Sequence, residues 1–124
     1  MSSVTLLYAG LLVLLGVVLA NYVLYIRLRV RGLESWKPNA AERVQANFVE
    51  NVPLALILLY LLEQAQAPLE FVHVCGAGLV LLRVLHAWGL ARYPGANYPR
   101  LIGAQGTFVL LSVMGVSAIY LSIV

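Results

Sequence analysis

Two long runs without a charged residue constrain this chain most. Residues 4–26 and residues 101–124 contain no Asp, Glu, Lys or Arg, and each is long enough as an α-helix to cross a hydrocarbon core of about 30 Å. The 124-residue chain is 62% hydrophobic and 10% charged, whereas soluble domains carry about 25% charged residues. A soluble domain of this size has too little interior to bury so much apolar surface. The sequence therefore predicts an all-α integral membrane protein.

Breaks in the apolar pattern divide the chain into four spans. They are a basic segment around Gly32 and Pro38, the short segment 63–70, and the segment 91–100 with two prolines. Pro and Gly end or interrupt helices and mark loops. We therefore expect a four-transmembrane-helix bundle with helices at about residues 4–31, 40–64, 68–91 and 99–124. With no internal repeat or linker, residues 1–124 are predicted to form a single domain.

The uneven distribution of charge predicts how the bundle is oriented. Loops one and three with their flanks hold seven of the eight basic residues, whereas loop two has only Glu63 and Glu70. The positive-inside rule then places loops one and three in the cytoplasm and both termini on the opposite side. The net charge of +3 is explained by this topology and by an anionic ligand, and we expect no nucleic-acid partner.

The content of cysteine and histidine limits the chemistry. A single cysteine, Cys75, excludes an intramolecular disulfide and a multi-cysteine metal motif. The two histidines are not at paired ligand spacing, and the chain has no Asp. We therefore expect no metal site.

Polar residues at helical spacing mark the second predicted span. Arg43, Asn47, Glu50 and Asn51, here called the polar stripe, fall within an arc of about 100° on one helix. An ionisable residue inside a membrane span normally faces the bundle interior and has a partner there. We therefore expect the polar stripe to face the interior of the bundle.

The third span supplies a predicted partner for the polar stripe. Arg83 and His86 share a helix face at i, i+3, at a depth similar to that of Glu50. We predict an intramembrane Glu50–Arg83 ion pair. Two interpretations remain open, since these groups either join helices by charged hydrogen bonds or belong to a ligand site.

The composition of the polar stripe indicates what a site there would bind. Guanidinium groups suit carboxylates, the Glu50 carboxylate suits an ammonium group, and Asn47 suits an amide. These groups favour a small, hydrophilic, multiply ionised molecule. The apolar walls of the bundle suit membrane lipid and a second, lipophilic substrate.

The segment 43–53, with Arg43, Asn47, Glu50 and Pro53, resembles the opening of the second helix in the MAPEG family, the membrane-associated proteins of eicosanoid and glutathione metabolism. Arg27-Leu-Arg29 and Arg83-Val-Leu-His86 extend the resemblance, which covers nearly the whole chain and is greatest for the short bacterial members. The resemblance implies a bacterial inner-membrane homotrimer, with glutathione bound between subunits near the cytoplasmic side. By the same resemblance, the glutathione contacts are Arg27, Arg43, Gln45, Asn47, Glu50, His86 and Tyr93.

The resemblance also assigns a catalytic residue. Arg100 matches the arginine to which the family assigns activation of the glutathione thiol. A free thiol has a pKa of about 8.5 and reacts as the thiolate, so a guanidinium beside the sulfur favours the reactive form. Where prostaglandin-type members have a tyrosine four residues after the histidine, this chain has Leu90, and Tyr93 is three residues further on.

The resemblance therefore implies a membrane-bound glutathione transferase or peroxidase that acts on lipophilic electrophiles or lipid hydroperoxides. An alternative is a lipid- or glutathione-binding member without catalysis. A small four-helix transporter is disfavoured, because Arg43 and Arg83 beside Glu50 would repel a cationic substrate.

Overall fold

Four long α-helices form the chain. The computed structural model describes residues 3–29, 39–92 and 98–124. The helices are α1 (Val4–Arg29), α2 (Asn39–Gln64), α3 (Leu69–Arg92) and α4 (Tyr98–Ile123). Each is long and apolar enough to cross a membrane. The predicted all-α, four-transmembrane-helix fold is therefore confirmed, while residues 30 and 31, at the predicted end of the first helix, lie outside the described residues.

One end of the bundle is closed by a carboxylate that caps α1. In the last turn of α2, Glu63 accepts hydrogen bonds from the backbone N–H groups of Val4 and Thr5, at 2.6 and 3.0 Å, and from the Ser3 hydroxyl at 3.0 Å. The first N–H groups of a helix have no partner within it, and a negative charge is favourable beside them. Glu63 thus ties the start of α1 to the end of α2.

The connection between α2 and α3 is short and hydrogen-bonded. The N–H of Ala67 donates to the carbonyl of Leu62, and the N–H of Gln66 donates to the carbonyl of Glu63, at 3.0 and 3.1 Å. Gln66 has a φ of 61°, the left-handed conformation found after many helix ends. The carbonyl of Pro68 then accepts the first hydrogen bond of α3, from Val72. This turn makes α2 and α3 antiparallel.

Glycine allows α3 and α4 to pack closely. A Cβ atom at Gly103 would lie 2.6 Å from the carbonyl oxygen of Leu82 and 2.8 Å from the backbone nitrogen of His86. Only a residue without a side chain permits this approach of two backbones. The contact holds the start of α4 against the second half of α3, where the predicted site residues lie.

The exterior of the bundle is apolar. Many large hydrophobic side chains are exposed along all four helices, including Leu14 on α1 and Ile119 on α4. The buried core is small by comparison and contains Leu12, Ala55, Leu59, Leu79 and Met114. An exterior of this composition suits hydrocarbon. The chain is an integral, multi-pass membrane protein.

Candidate functional site

Polar side chains from three helices meet at one end of the bundle. Because the helices alternate in direction, α1 and α3 end where α2 and α4 begin, and we call this the basic end. Here the Nη1 of Arg83 donates to Asn47 Oδ1 at 2.7 Å and to Thr107 Oγ1 at 3.4 Å. Thr107 in turn donates to the carbonyl of Gly103 at 2.6 Å. These bonds join α2, α3 and α4.

The Arg83 guanidinium is almost completely buried. The residue is 1% exposed, and its Cζ lies 5.6 Å from the centroid of the Phe48 ring, within cation–π range. Its Nε and Nη2 atoms are buried and have no hydrogen-bond partner among the described residues. We call Asn47, Phe48, Arg83, His86 and Thr107 the Arg83 cluster.

His86 extends the Arg83 cluster toward α4. The residue is 5% exposed, and its Nδ1 is buried without a hydrogen-bond partner in the described part of the chain. The positive charges of Arg83 and Arg100 both act on the His86 ring. His86 is therefore close enough to both arginines for their charges to act on it.

The described residues of the single chain do not form the predicted Glu50–Arg83 ion pair. Glu50 is exposed, and Arg83 bonds to Asn47 instead. The cause is the rotation of α2 about its axis, which turns Val44, Val52 and Ala55 into the core and Glu50 away from it. Depth in the membrane alone suggested the pair, but depth does not determine which way a side chain points.

The same rotation corrects the prediction for the polar stripe as a whole. Only the inner edge of the polar stripe, Asn47 and Asn51, is half-buried, whereas Arg43 and Glu50 are exposed on the single chain. Asn51 donates to the backbone carbonyl of Asn47 at 2.8 Å within α2. The charged edge of the polar stripe therefore lies on the outside of the four-helix bundle, within a membrane span.

The other predicted site residues are placed as follows. Arg100 is half-buried in the first turn of α4, and the positive charge of Arg43 acts on it across the basic end. Gln45 is half-buried on α2. Arg27 belongs to α1, but its side chain and the whole of Tyr93 lie outside what the structure describes. The fold thus brings Arg43, Asn47, His86 and Arg100 to one end, and their glutathione contacts stay predictions.

Two members of the Arg83 cluster were missed by the sequence reasoning. Thr107 follows Arg100 by seven residues on α4, a spacing that places both on one helix face. That spacing was an available signal, but a threonine in an apolar run also bonds to its own helix backbone and needs no other role. Phe48 carries no signal beyond its position beside Asn47.

These features define a class of protein: a four-span membrane protein with arginine, asparagine and histidine side chains gathered at one end of the bundle. The model of the MAPEG family matches residues 5–120, and the chain belongs to the MAPEG family.

Two curated relatives resemble part of the chain. The chain is similar to the inner membrane protein YecN of Escherichia coli strain K12 and to that of strain O6:H1, with 36% identity over 50 residues in each case. The aligned segment covers 40% of this chain and 38% of each relative. No solved structure matches this chain significantly.

Proposed function

We propose that this chain is a glutathione transferase or peroxidase that works as a homotrimer, with glutathione bound between subunits at the basic end. The observation that carries the proposal is the exposure of Arg43 and Glu50 on the outside of a transmembrane helix. The MAPEG family includes glutathione transferases, which supports the same activity here.

Charged side chains exposed on a membrane-spanning helix must be shielded from the lipid by protein or ligand. A charged side chain at the centre of a membrane helix costs about 2.5–3.5 kcal/mol on insertion scales. Glu50 lies well inside the span Glu42–Gln64, whereas Arg43 is near its start. Arg43 and Glu50 lie within two turns of each other on the same side of α2, so one surface of a second copy would cover both. Cyclic assembly repeats that contact at every interface, which favours a closed ring such as the trimer.

The covered polar stripe has the chemistry to bind glutathione. Glutathione carries two carboxylates, an ammonium group, two peptide groups and a thiol. Arg43 offers a guanidinium fork to a carboxylate, and Glu50 offers the counter-charge for the ammonium group. Arg27, Gln45, His86 and Tyr93 are proposed as further contacts from the same end.

Arg100 is proposed to stabilise the thiolate of bound glutathione. Its guanidinium stays protonated at all physiological pH values and cannot act as a base, so its contribution is electrostatic. The thiolate sulfur then forms a bond to the electrophilic carbon of the lipophilic substrate, and the leaving group departs with the bonding electron pair. With a lipid hydroperoxide, the thiolate attacks the terminal oxygen, the O–O bond breaks, and the alkoxide leaves and takes a proton from water to become the alcohol. A second glutathione thiol then condenses with the resulting sulfenic acid to form the disulfide and release water.

The test of catalysis is conjugation of chlorodinitrobenzene by detergent-purified protein. Lowering the thiol pKa by one to two units is worth about 1.4–2.7 kcal/mol, so Arg100→Ala is expected to lower the rate at neutral pH about 10- to 100-fold. The rate should recover above pH 9, where the thiol ionises without help. Gln105→Ala, at an exposed position on the same helix, is the matched control and should keep the wild-type rate. A full rate in Arg100→Ala at neutral pH would refute the mechanism.

Ligand binding and assembly are tested separately from turnover. Millimolar glutathione should raise the thermal unfolding temperature of the wild type and raise it less for Glu50→Gln, and native mass spectrometry should show three copies. A shift without turnover would favour a binding protein without catalysis, and no shift would refute the glutathione site. Loops one and three are proposed to be cytoplasmic, which labelling of cysteines introduced there would test.

A further inference from the structure

The hydrogen bond between Arg83 and Asn47 determines which end of the Asn47 side-chain amide faces Arg83. A guanidinium group has five N–H donors and no acceptor. The side-chain atom of Asn47 that lies 2.7 Å from Arg83 Nη1 is therefore the carbonyl oxygen. The amide nitrogen Nδ2 is directed elsewhere, and no described residue accepts a hydrogen bond from it.

The guanidinium is held rigidly enough to enforce this orientation. Arg83 is buried from solvent, its Nη1 is also within reach of Thr107, and the Phe48 ring lies against it. Thr107 is itself fixed by its bond to the Gly103 carbonyl. A reversed amide would set N–H against N–H in a buried site and lose a charge-assisted hydrogen bond, one of the stronger kinds in proteins. Asn47 is thus held with its oxygen occupied.

The consequence concerns what Asn47 can recognise. An asparagine with a free side chain can turn either its donor end or its acceptor end toward a ligand. When its oxygen faces Arg83, the end that it turns away from the guanidinium carries the two hydrogens of Nδ2. Asn47 is half-buried and lies on the inner edge of the polar stripe. A ligand group that approaches Asn47 from the side away from Arg83 therefore meets N–H donors and must be an acceptor, such as a carboxylate or a peptide carbonyl oxygen.

We propose that Arg83 is a positioning residue that fixes Asn47 as a hydrogen-bond donor to an oxygen acceptor of glutathione. The inference rests on the proposed function, since it takes glutathione as the ligand of the polar stripe. Arg83 touches the bound tripeptide only through Asn47, and the site rejects an amine or ammonium group at this point.

A double-mutant cycle on glutathione affinity tests the coupling. The four proteins are the wild type, Arg83→Met, Asn47→Ala and the double variant, with the dissociation constant measured by calorimetry in detergent. Arg83→Met should weaken binding about tenfold when Asn47 is present, the loss of roughly one oriented hydrogen bond, and less than twofold in the Asn47→Ala background. Equal losses in both backgrounds would overturn the proposal, because a general structural effect of Arg83 would not depend on Asn47.

Asn47→Asp tests the same idea with Arg83 intact. The carboxylate keeps the shape of the side chain and accepts from Arg83, but it has no hydrogen to donate. We expect a folded protein whose glutathione affinity falls at least tenfold. Unchanged affinity in this variant would overturn the proposal even if Arg83→Met fails to fold.

Glutathione analogues can identify which oxygen of glutathione accepts the hydrogen bond from Asn47. If the acceptor is the glycine carboxylate, esterifying that group should weaken binding to the wild type and leave binding to Asn47→Ala unchanged. If it is a peptide carbonyl, esterification should weaken both proteins equally, while Asn47→Asp still loses affinity. Both patterns support donation by Asn47, and tighter binding of an analogue with an amine at the acceptor position would contradict it.

A readout without glutathione separates this inference from the proposed function. Asn47→Asp should keep or raise the thermal unfolding temperature when Arg83 is present, because it forms a buried ion pair, and should lower that temperature in the Arg83→Met background. If the wild type does not bind glutathione, the proposed function fails while this cycle still tests the contact between position 47 and Arg83, from which the orientation of the Asn47 amide follows. The same temperature change in both backgrounds would show that the two residues do not interact and would overturn the inference.

Discussion

The contact of Gly103 with α3 allows a quantitative test of how the basic end is held together. In Gly103→Ala the new Cβ would lie 2.6 Å from the Leu82 carbonyl oxygen and 2.8 Å from the His86 nitrogen. Both are backbone atoms, so no side-chain rotation can relieve the overlap. Moving from 2.6 Å to an ordinary contact of 3.4 Å requires α3 and α4 to separate locally by about 0.8 Å.

The expected loss of stability follows from a comparison of two glycines on α4. Inserting a methyl group into a closely packed interface costs about 1–3 kcal/mol, whereas replacing glycine by alanine in a helix gains up to about 1 kcal/mol of helix propensity. Gly115, also on α4, has nothing within 4 Å of the position of its Cβ. Since the propensity gain is common to both substitutions, Gly103→Ala should be about 1–3 kcal/mol less stable than Gly115→Ala.

The assay is the free energy of unfolding of the detergent-solubilised protein, measured by circular dichroism during titration with a denaturing detergent. A second consequence is local. The 3.4 Å contact between Arg83 and Thr107 would lengthen beyond hydrogen-bond range when the helices separate. Equal stability of Gly103→Ala and Gly115→Ala would refute the role assigned to Gly103 and with it the described packing of α4 on the Arg83 cluster.

Two further predictions concern the other end of the bundle. Glu63→Gln removes the charge that caps α1 and should lower the free energy of unfolding by about 1 kcal/mol. Glu70→Gln, at an exposed residue in the first turn of α3, should lower it by only about 0.3 kcal/mol; equal losses would contradict the cap. Tyr8→Phe removes the 2.8 Å hydrogen bond between the Tyr8 hydroxyl and His73 Nδ1 and should lower the thermal stability by about 1 kcal/mol, while Tyr120→Phe, at an exposed residue, should have no effect.

The relation of the polar residues to the fold shows how far sequence reasoning extends. The i, i+4 spacing of Arg43 and Asn47 correctly gives a shared helix side, and the order of the spans correctly gives a shared end with Arg83 and Arg100. These are properties of one helix or of the alternation of helices. The partner of Arg83 could not be predicted in this way. Glu50 and Asn47 differ by less than one turn in depth, and what distinguishes them is the direction in which each side chain points around the axis of α2.

The sequence by itself determined that this is a four-span helical membrane protein, because a run of residues without charge and the length needed to cross a membrane are both local properties of the chain. It also determined which polar residues share an end of the bundle. Only the tertiary structure decided which of them meet. The rotation of α2 follows from the packing of Val44, Val52 and Ala55 into the core, and the contact of α4 follows from the close approach at Gly103. Packing acts between segments far apart in the chain, and so it placed Asn47 on Arg83 and left Glu50 outside.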